Sequence, residues 1–464
     1  MGNAFDVDYL VVGAGAAGMA IADELLAHSD ATLAIVDRRH APGGHWIDAY
    51  PFVRLHQPSA FYGVSSTALG QDAIDRSGVN AGFYEVAGAD ELRAYFARVM
   101  QQSFLPTGRV RYFPCSDHTG GENGRHTFVS RLTGAAHEVR VRRKLVDTSY
   151  LEGAIPAVGA PPFEVAEGVR WCPAGAVARI DGRAGRYVIV GAGKTAMDTC
   201  VWLLEQGVPP ADITWIKSRE GWWLNRRFHQ PHDGLPAFLD GVALQMQAFA
   251  QAGSVDDAML RLEADGFLLR VDPNVAPTML HGAILSEAEQ KLLRQIEDVV
   301  RLGRVRRIER DRILLDGGVV PTDADTLHVH CAASGLAYRT PRPIFEPDRI
   351  TVQPCFWSFS SFQFALLGVV EATVESDEEK NRLCPAIKYW DTSADYLRAY
   401  LALLASERAR AASPALAAWA KGTRLNPLGR IGGSYRDHPG VVAARDRVRQ
   451  FGAAAAGNLV KLVG

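Results

Sequence analysis

The 464-residue chain has no uninterrupted apolar run approaching the roughly 20 residues of a membrane-spanning helix, and its mean hydropathy is −0.05. It has no Cys-x-x-Cys pair. Its six cysteines (Cys115, Cys172, Cys200, Cys331, Cys355, Cys384) lie no closer than 24 residues apart, which excludes a clustered thiolate metal site and a local dithiol. All six read as small, reduced core hydrophobes. Neither charge sign is in excess: Lys+Arg number 50 and Asp+Glu 52, a formal net charge of −2. With no long basic run there is no electrostatic footprint for nucleic acid. The opening residues carry no basic segment ahead of Tyr9–Val12, which runs straight into glycines. That reads as a first buried strand rather than a signal peptide, and predicts a cytoplasmic chain without a membrane span. Hydrophobic residues at 47% and charged residues at 22% are ordinary for a globular protein, and the length predicts about two to four domains.

What is present begins at Asp8-Tyr-Leu-Val-Val-Gly13-Ala-Gly15-Ala16-Ala17-Gly18. A β-rich run enters glycines spaced G-x-G-x-x-G and an apolar-periodic helix follows. The first glycine permits the tight turn, and the second lets backbone approach a pyrophosphate. The third lets helix and strand pack closely, with phosphate on the helix N-terminus. The next strand, Thr32-Leu-Ala-Ile-Val-Asp37, ends in a carboxylate where an acid holds a ribose hydroxyl. We read this unit as an FAD site.

The chain then repeats the device. Arg186-Tyr-Val-Ile-Val-Gly191-Ala-Gly193-Lys194-Thr195-Ala196 is strand, G-x-G-x-x-A and helix start. At the end of its second strand, Ile213-Thr-Trp-Ile-Lys217-Ser-Arg219, cations replace the acid. An acid would repel a ribose 2′-phosphate and Lys217 with Arg219 would pair with it, so this unit reads as an NADPH site. The fold expected is α/β: two Rossmann-like dinucleotide-binding domains, the NADPH domain nested within the FAD domain, with a helical insertion.

The residues after Asp37 carry a resemblance. Asp37-Arg38-Arg-His-Ala-Pro-Gly43-Gly44-His45-Trp46 resembles the acid-x5-Gly-Gly-x-Trp signature of the flavin-containing and Baeyer–Villiger monooxygenases. Tyr50-Pro-Phe-Val-Arg54-Leu-His56-Gln57-Pro-Ser59 is similar to the segment that runs beneath the flavin ring in those families. The resemblance places the flavin-containing enzymes' Asn at Gln57 and the Baeyer–Villiger enzymes' Asp at His56, and makes Gln57 and His56 the catalytic candidates. His330-Cys-Ala-Ala-Ser334-Gly335 resembles the strand and turn by which such chains re-enter the FAD domain. Phe362 and Gln363 open a helix expected to face the flavin. The chain departs from both families in one respect: their Phe-x-Gly-x3-His fingerprint is missing, since the stretch from Phe163 to Ala174 has no His. Disulfide reductases share the two-dinucleotide plan but need a Cys pair soon after the Gly-Gly segment, and the first cysteine here is Cys115.

Three stretches are expected: residues 1–155 as the first part of the FAD domain, 156–325 as the NADPH domain with an insertion over about 226–300, and 326–464 as the rest of the FAD domain with a helical tail. Helices are predicted over 90–102, 241–251, 255–265 and 286–300, the last opened by the capping box Ser286-Glu-Ala-Glu289. The loops 154–162 and 426–433 read as a crossover and a cover for the substrate cavity. Trp222-Trp223 and Arg226-Arg227 stand where a nucleotide passes, with packing as the alternative. His229 with His232, and His328 with His330, lack metal-site spacing, and no metal is expected. The resemblance implies an NADPH-dependent FAD monooxygenase acting on a small organic substrate with molecular oxygen through a flavin C4a-(hydro)peroxide. A reductase or dehydrogenase serving a quinone, imine or protein carrier keeps the same cofactors without oxygen insertion. A non-catalytic dinucleotide sensor is opposed by the intact glycines of both motifs. The sequence leaves substrate and oligomeric state open, a homodimer among them.

Overall fold

The computed structural model describes residues 4–153, 159–333, 335–356, 360–429 and 435–464. Ser334, most of the crossover loop after Gly153 and part of the loop after Asn426 lie outside the described residues.

The alternation of short β-branched runs with helices produces two parallel sheets. In the first, Phe5–Val12 is central and pairs in parallel with Leu33–Val36 on one side and Ala136–Asp147 on the other. Val110–Phe113 and Arg349–Thr351 extend it in parallel at the two sides. The helix Ala16–His28 lies against the helix Ser360–Thr373, so a segment from the far end of the chain completes the first unit. Two antiparallel strands, Ser116–Glu122 and Arg125–Ser130, extend this sheet, the second pairing with Ala136–Asp147.

The second sheet runs Val299–Val300, Ile213–Ile216, Arg186–Val190, Thr326–His330, Trp171–Pro173, every pair parallel. It is nested between the two parts of the first unit, as the repeated motif predicts. One strand changes place. Thr326–His330 was expected to lead back into the first sheet, yet it pairs with Arg186–Val190 in the second. The chain re-enters the first unit beyond it, near Gly335. There Gly153 and Gly335 abut so closely that a Cβ on Gly153 would come within 1.6 Å of the Gly335 carbonyl oxygen.

The insertion contains the helices Leu235–Gln251 and Val255–Ala264. The helix expected over 286–300 spans only Glu287–Leu293, because Val299–Val300 is taken up as an edge strand. The helix expected over 90–102 is α-helical for Ala89–Arg98 and then widens into a π-helical turn over Val99–Phe104. The terminal helix Pro439–Val463 runs along Leu235–Gln251, with Val441 and Ala444 packed against Leu235, Leu239 and Ala243. The tail is also tied to the first unit: the Arg424 guanidinium donates to the carbonyls of Ala60 (2.8 Å), Tyr62 (2.7 Å) and Val64 (2.7 Å). No helix of the described residues is long and apolar enough to cross a membrane.

Candidate functional site

The two glycine loops open onto one cavity of about 770 Å³. From the first unit, Gly13, Gly15, Ala16, Ala17, Asp37, Arg38, Gly44, His45 and Trp46 line it, followed by His56 and Gln57. Gly193, Lys194, Thr195, Gly335 and Gln363 come to the same walls from the second unit and the returning chain. Gly18, Gly191 and Ala196 stay out of the lining and are packed behind it. A Cβ on Gly18 would meet the Gly13 carbonyl oxygen at 2.0 Å, and one on Gly191 the Cys331 carbonyl oxygen at 2.8 Å.

The first loop is held against the Gly43-Gly44 turn. Gly43 N–H donates to the Ala14 carbonyl at 2.9 Å, and a Cβ on Gly15 would lie 3.3 Å from the Gly44 Cα. Backbone therefore faces backbone, with no side chain between the loop and the cavity. Asp37 is buried, its Oδ2 accepting from Ala14 N–H at 2.6 Å and its Oδ1 from Arg39 N–H at 2.7 Å. Trp46 is buried with its Nε1–H donating to the Tyr62 hydroxyl at 2.8 Å.

Beyond that turn a buried charge network joins the units. Lys194 pairs with Asp198 and, at 3.0 Å, with Glu289, which also holds Arg226 at 2.9 Å. Tyr50 donates to Asp198 at 2.6 Å. The two cations and two carboxylates balance, which is how charges persist in a dry interior. Burial works against the Glu289 anion, but Lys194 and Arg226 hold its carboxyl down to about 2. Burial likewise opposes the Lys194 cation, and the two carboxylates keep it protonated. His56 stands at this network as a neutral imidazole: burial lowers it to about 3, with Lys194 and Arg226 acting in the same direction.

Three buried N–H donors on side chains that line this cavity have no partner among the described residues: Gln57 Nε2, Trp223 Nε1 and Trp390 Nε1. An unsatisfied buried donor costs about 1–3 kcal/mol, so three around one cavity mark a place for an acceptor-bearing ligand. The bare backbone cradle, with the Gln57 donor, fits a dinucleotide.

Several expected site residues stand elsewhere. Arg54 turns to solvent, 3.7 Å from Asp75, and does not line the cavity. Phe362 is core, stacked at 5.5 Å on Trp419 and 4.9 Å from Phe356; its neighbour Phe364 lines the cavity instead. Lys217 is buried, bonded to Glu220 at 2.5 Å and set 4.3 Å over the Trp215 ring. Arg219 is bound to Asp391 at 2.7 Å. Neither cation lines the cavity, because each has found a carboxylate of its own chain. Of the Trp222-Trp223 pair, Trp223 lines the cavity and Trp222 lies beneath Arg270. Sequence reasoning missed Tyr50, Tyr62, His281 and the Tyr389-Trp390 pair. The adjacent aromatics at 389–390 were a usable signal; the others are single residues in unremarkable stretches.

Comparison with known proteins follows the same lines. Residues 11–57 match the NAD(P)-binding Rossmann-like domain family. The open crystal structure of cyclohexanone monooxygenase superposes with a TM-score of 0.51 at 14% identity, over 89% of this chain and 98% of that one. That likeness is one of fold: an α/β chain with one dinucleotide unit nested in another. Among sequences, "Uncharacterized protein Rv2000" of Mycobacterium tuberculosis (strain ATCC 25618 / H37Rv) is 42% identical over 424 residues, 91% of this chain and 78% of that protein. "Uncharacterized protein Mb2023" of Mycobacterium bovis matches to the same extent. At this identity and coverage the chain belongs to one family with these mycobacterial proteins.

Proposed function

We propose that the protein is an FAD- and NADPH-dependent oxidoreductase that inserts an atom of molecular oxygen into a small organic substrate. The observation that carries this reading is the meeting of both glycine loops, Gly13–Gly18 and Gly193–Thr195, on one cavity. A redox enzyme needs a donor nucleotide and an acceptor cofactor within reach of each other.

Gly13, Gly15 and Gly44 would hold the FAD pyrophosphate against bare backbone, Asp37 the ribose hydroxyls, and Gln57 with Gln363 the ring. Gly193 and Thr195 would receive NADPH. FAD, held by these residues, would supply two-electron chemistry between a nicotinamide and oxygen. The chain's own part is to bind, orient and keep water out. Trp46, Tyr62 and Phe364 line the cavity with apolar surface that would keep water from a bound flavin. Gln57 offers a fixed donor. His56, neutral through the physiological range by burial, accepts or donates one hydrogen bond without adding charge.

The test is spectroscopic. The purified protein should be yellow, bleached by NADPH under nitrogen, and recoloured by oxygen with the substrate gaining one oxygen atom from O₂. Bleached protein that is recoloured by a quinone but not by oxygen would instead be the reductase. Colourless protein that takes up no FAD refutes both.

A further inference from the structure

One stretch of the cavity wall is built by His281–Ile284, Trp223, Phe356 and Tyr389-Trp390. We propose that this wall binds a neutral hydroxyaromatic compound, a phenol, with its hydroxyl held between the His281 ring and the Trp390 indole. The assignment rests on the oxidoreductase reading and names its substrate class.

The polarity of the wall selects that group. His281 Nε2 lies 2.7 Å from Asp391 Oδ1, which Arg219 also binds at 2.7 Å. Burial opposes the Asp391 anion, but Arg219 and His281 hold its carboxyl below the usual range. A carboxylate only accepts, so Nε2 carries a proton, and in the neutral ring the lone pair then sits on Nδ1. That nitrogen has no partner among the described residues, while the Tyr338 hydroxyl, 2.8 Å away, meets Nε2. Tyr389 donates to the His281 carbonyl at 3.1 Å and pins the segment.

The donors stand beside it. A Cβ on Gly282, the next residue, would lie 3.2 Å from Trp390 Nε1. Leu224 N–H donates to the Ala283 carbonyl at 3.0 Å, which sets Trp223 along the same segment. Both indole nitrogens are buried without partners among the described residues. One bare lone pair with neighbouring unsatisfied N–H groups matches a hydroxyl, which has one donor and two lone pairs. A ketone or ether would satisfy the indoles and leave Nδ1 facing an oxygen lone pair. A carboxylate would face Nδ1 with a full charge, and an ammonium group would be repelled by the indole N–H edges. Phe356, Tyr389 and Trp390 offer aromatic surface for a flat ring.

The experiment is calorimetric titration of the protein as purified, with tryptophan fluorescence as a second readout. Its probes are 4-ethylphenol, its methyl ether 4-ethylanisole, and ethylbenzene. The phenol should bind at least tenfold more tightly than the ether. His281→Ala should bring that ratio close to one. Trp390→Phe, which keeps a ring but removes the N–H, should weaken phenol and ether alike and leave the ratio intact. Equal affinity for phenol and ether in the wild type, a ratio that survives His281→Ala, or no binding of any probe would overturn the assignment. Because binding needs no turnover, the two readings fail separately. Phenol preference in protein that NADPH does not bleach refutes the oxidoreductase reading, and bleaching without the preference refutes the phenol site.

Discussion

Gly15 and Gly44 approach so closely that each would place a side chain into the other's backbone: a Cβ on Gly44 would lie 2.8 Å from the Gly15 Cα. The cavity floor is thus two strips of peptide with nothing between them and a ligand. Gly15→Val fills that floor with a branched side chain that neither strip can avoid without moving. The variant should purify without flavin while retaining its secondary structure, as measured by absorbance of the released cofactor and by circular dichroism. Stoichiometric FAD in that variant would remove the first glycine loop from the site. Residue-scale reading served best here, because a glycine in such a turn reports a local constraint that neighbours in sequence reveal. It served worst at Arg54 and Phe362, where the side chain's direction depended on partners 21 and 57 residues away, Asp75 and Trp419.

At the scale of elements, the strand Ile213–Ile216 shows how a correct element can carry a wrong site. Its pairing with Arg186–Val190 is that of a second dinucleotide unit, and the two cations follow it as expected. Lys217 then turns inward to Glu220, which Arg301 also binds at 2.9 Å. Arg219 retains about a third of its side-chain exposure beside Asp391. Burial lowers the Lys217 ammonium despite Glu220, so this lysine is a structural partner rather than a phosphate ligand. Of the two, only Arg219 keeps exposure with which to meet a 2′-phosphate, so if either cation sets nicotinamide choice it is this one. Arg219→Ala should raise the KM for NADPH several-fold more than that for NADH, as steady-state flavin reduction with each cofactor would measure. Lys217→Ala should lower stability to denaturant by about 3 kcal/mol and leave the NADPH/NADH ratio of any folded protein unchanged. An equal loss with both cofactors on Arg219→Ala would contradict this division.

Across the whole molecule, the units are joined by the network of Tyr50, Asp198, Lys194, Glu289 and Arg226, which no single element contains. Glu289 is both the third residue of the capping box on Glu287–Leu293 and the shared anion of two buried cations. Glu289→Gln keeps the cap's shape and removes the charge, leaving Lys194 and Arg226 with Asp198 alone. The midpoint of denaturant unfolding should fall by the equivalent of about 3 kcal/mol. The same groups set a pH dependence. Glu289, held at about 2 against an ordinary 4.5, stabilises the fold above pH 4.5, and that contribution is lost as pH falls toward 2. His56, lowered from 6.5 to about 3, is neutral in the fold, so the unfolded chain takes up its proton first and stability declines as pH falls below 6.5. His229, lowered to about 4, acts in the same direction. Thermal unfolding should therefore shift downward from pH 6.5, more steeply below 4.5. His56→Gln should flatten the upper part of that profile; an unchanged slope would place the effect on other histidines.

The two glycine motifs, the strands that enter them and the acid at Asp37 were legible in the chain because each is a short-range device. Spacing of a few residues sets a turn, a helix start and a bare stretch of backbone, and these features survive into any fold that uses them. The nesting of one unit in the other was legible for the same reason, as order along the chain. What could not be read was where charges and rings end. Lys217 took Glu220 three residues on, Arg219 took Asp391 far along the chain, and Thr326–His330 paired with Arg186–Val190; burial drives each polar group to a partner, and which one depends on the packing of distant segments. The stretch of cavity wall with His281, Trp223 and Trp390, drawn from three separate segments, exists only once the tertiary fold has closed.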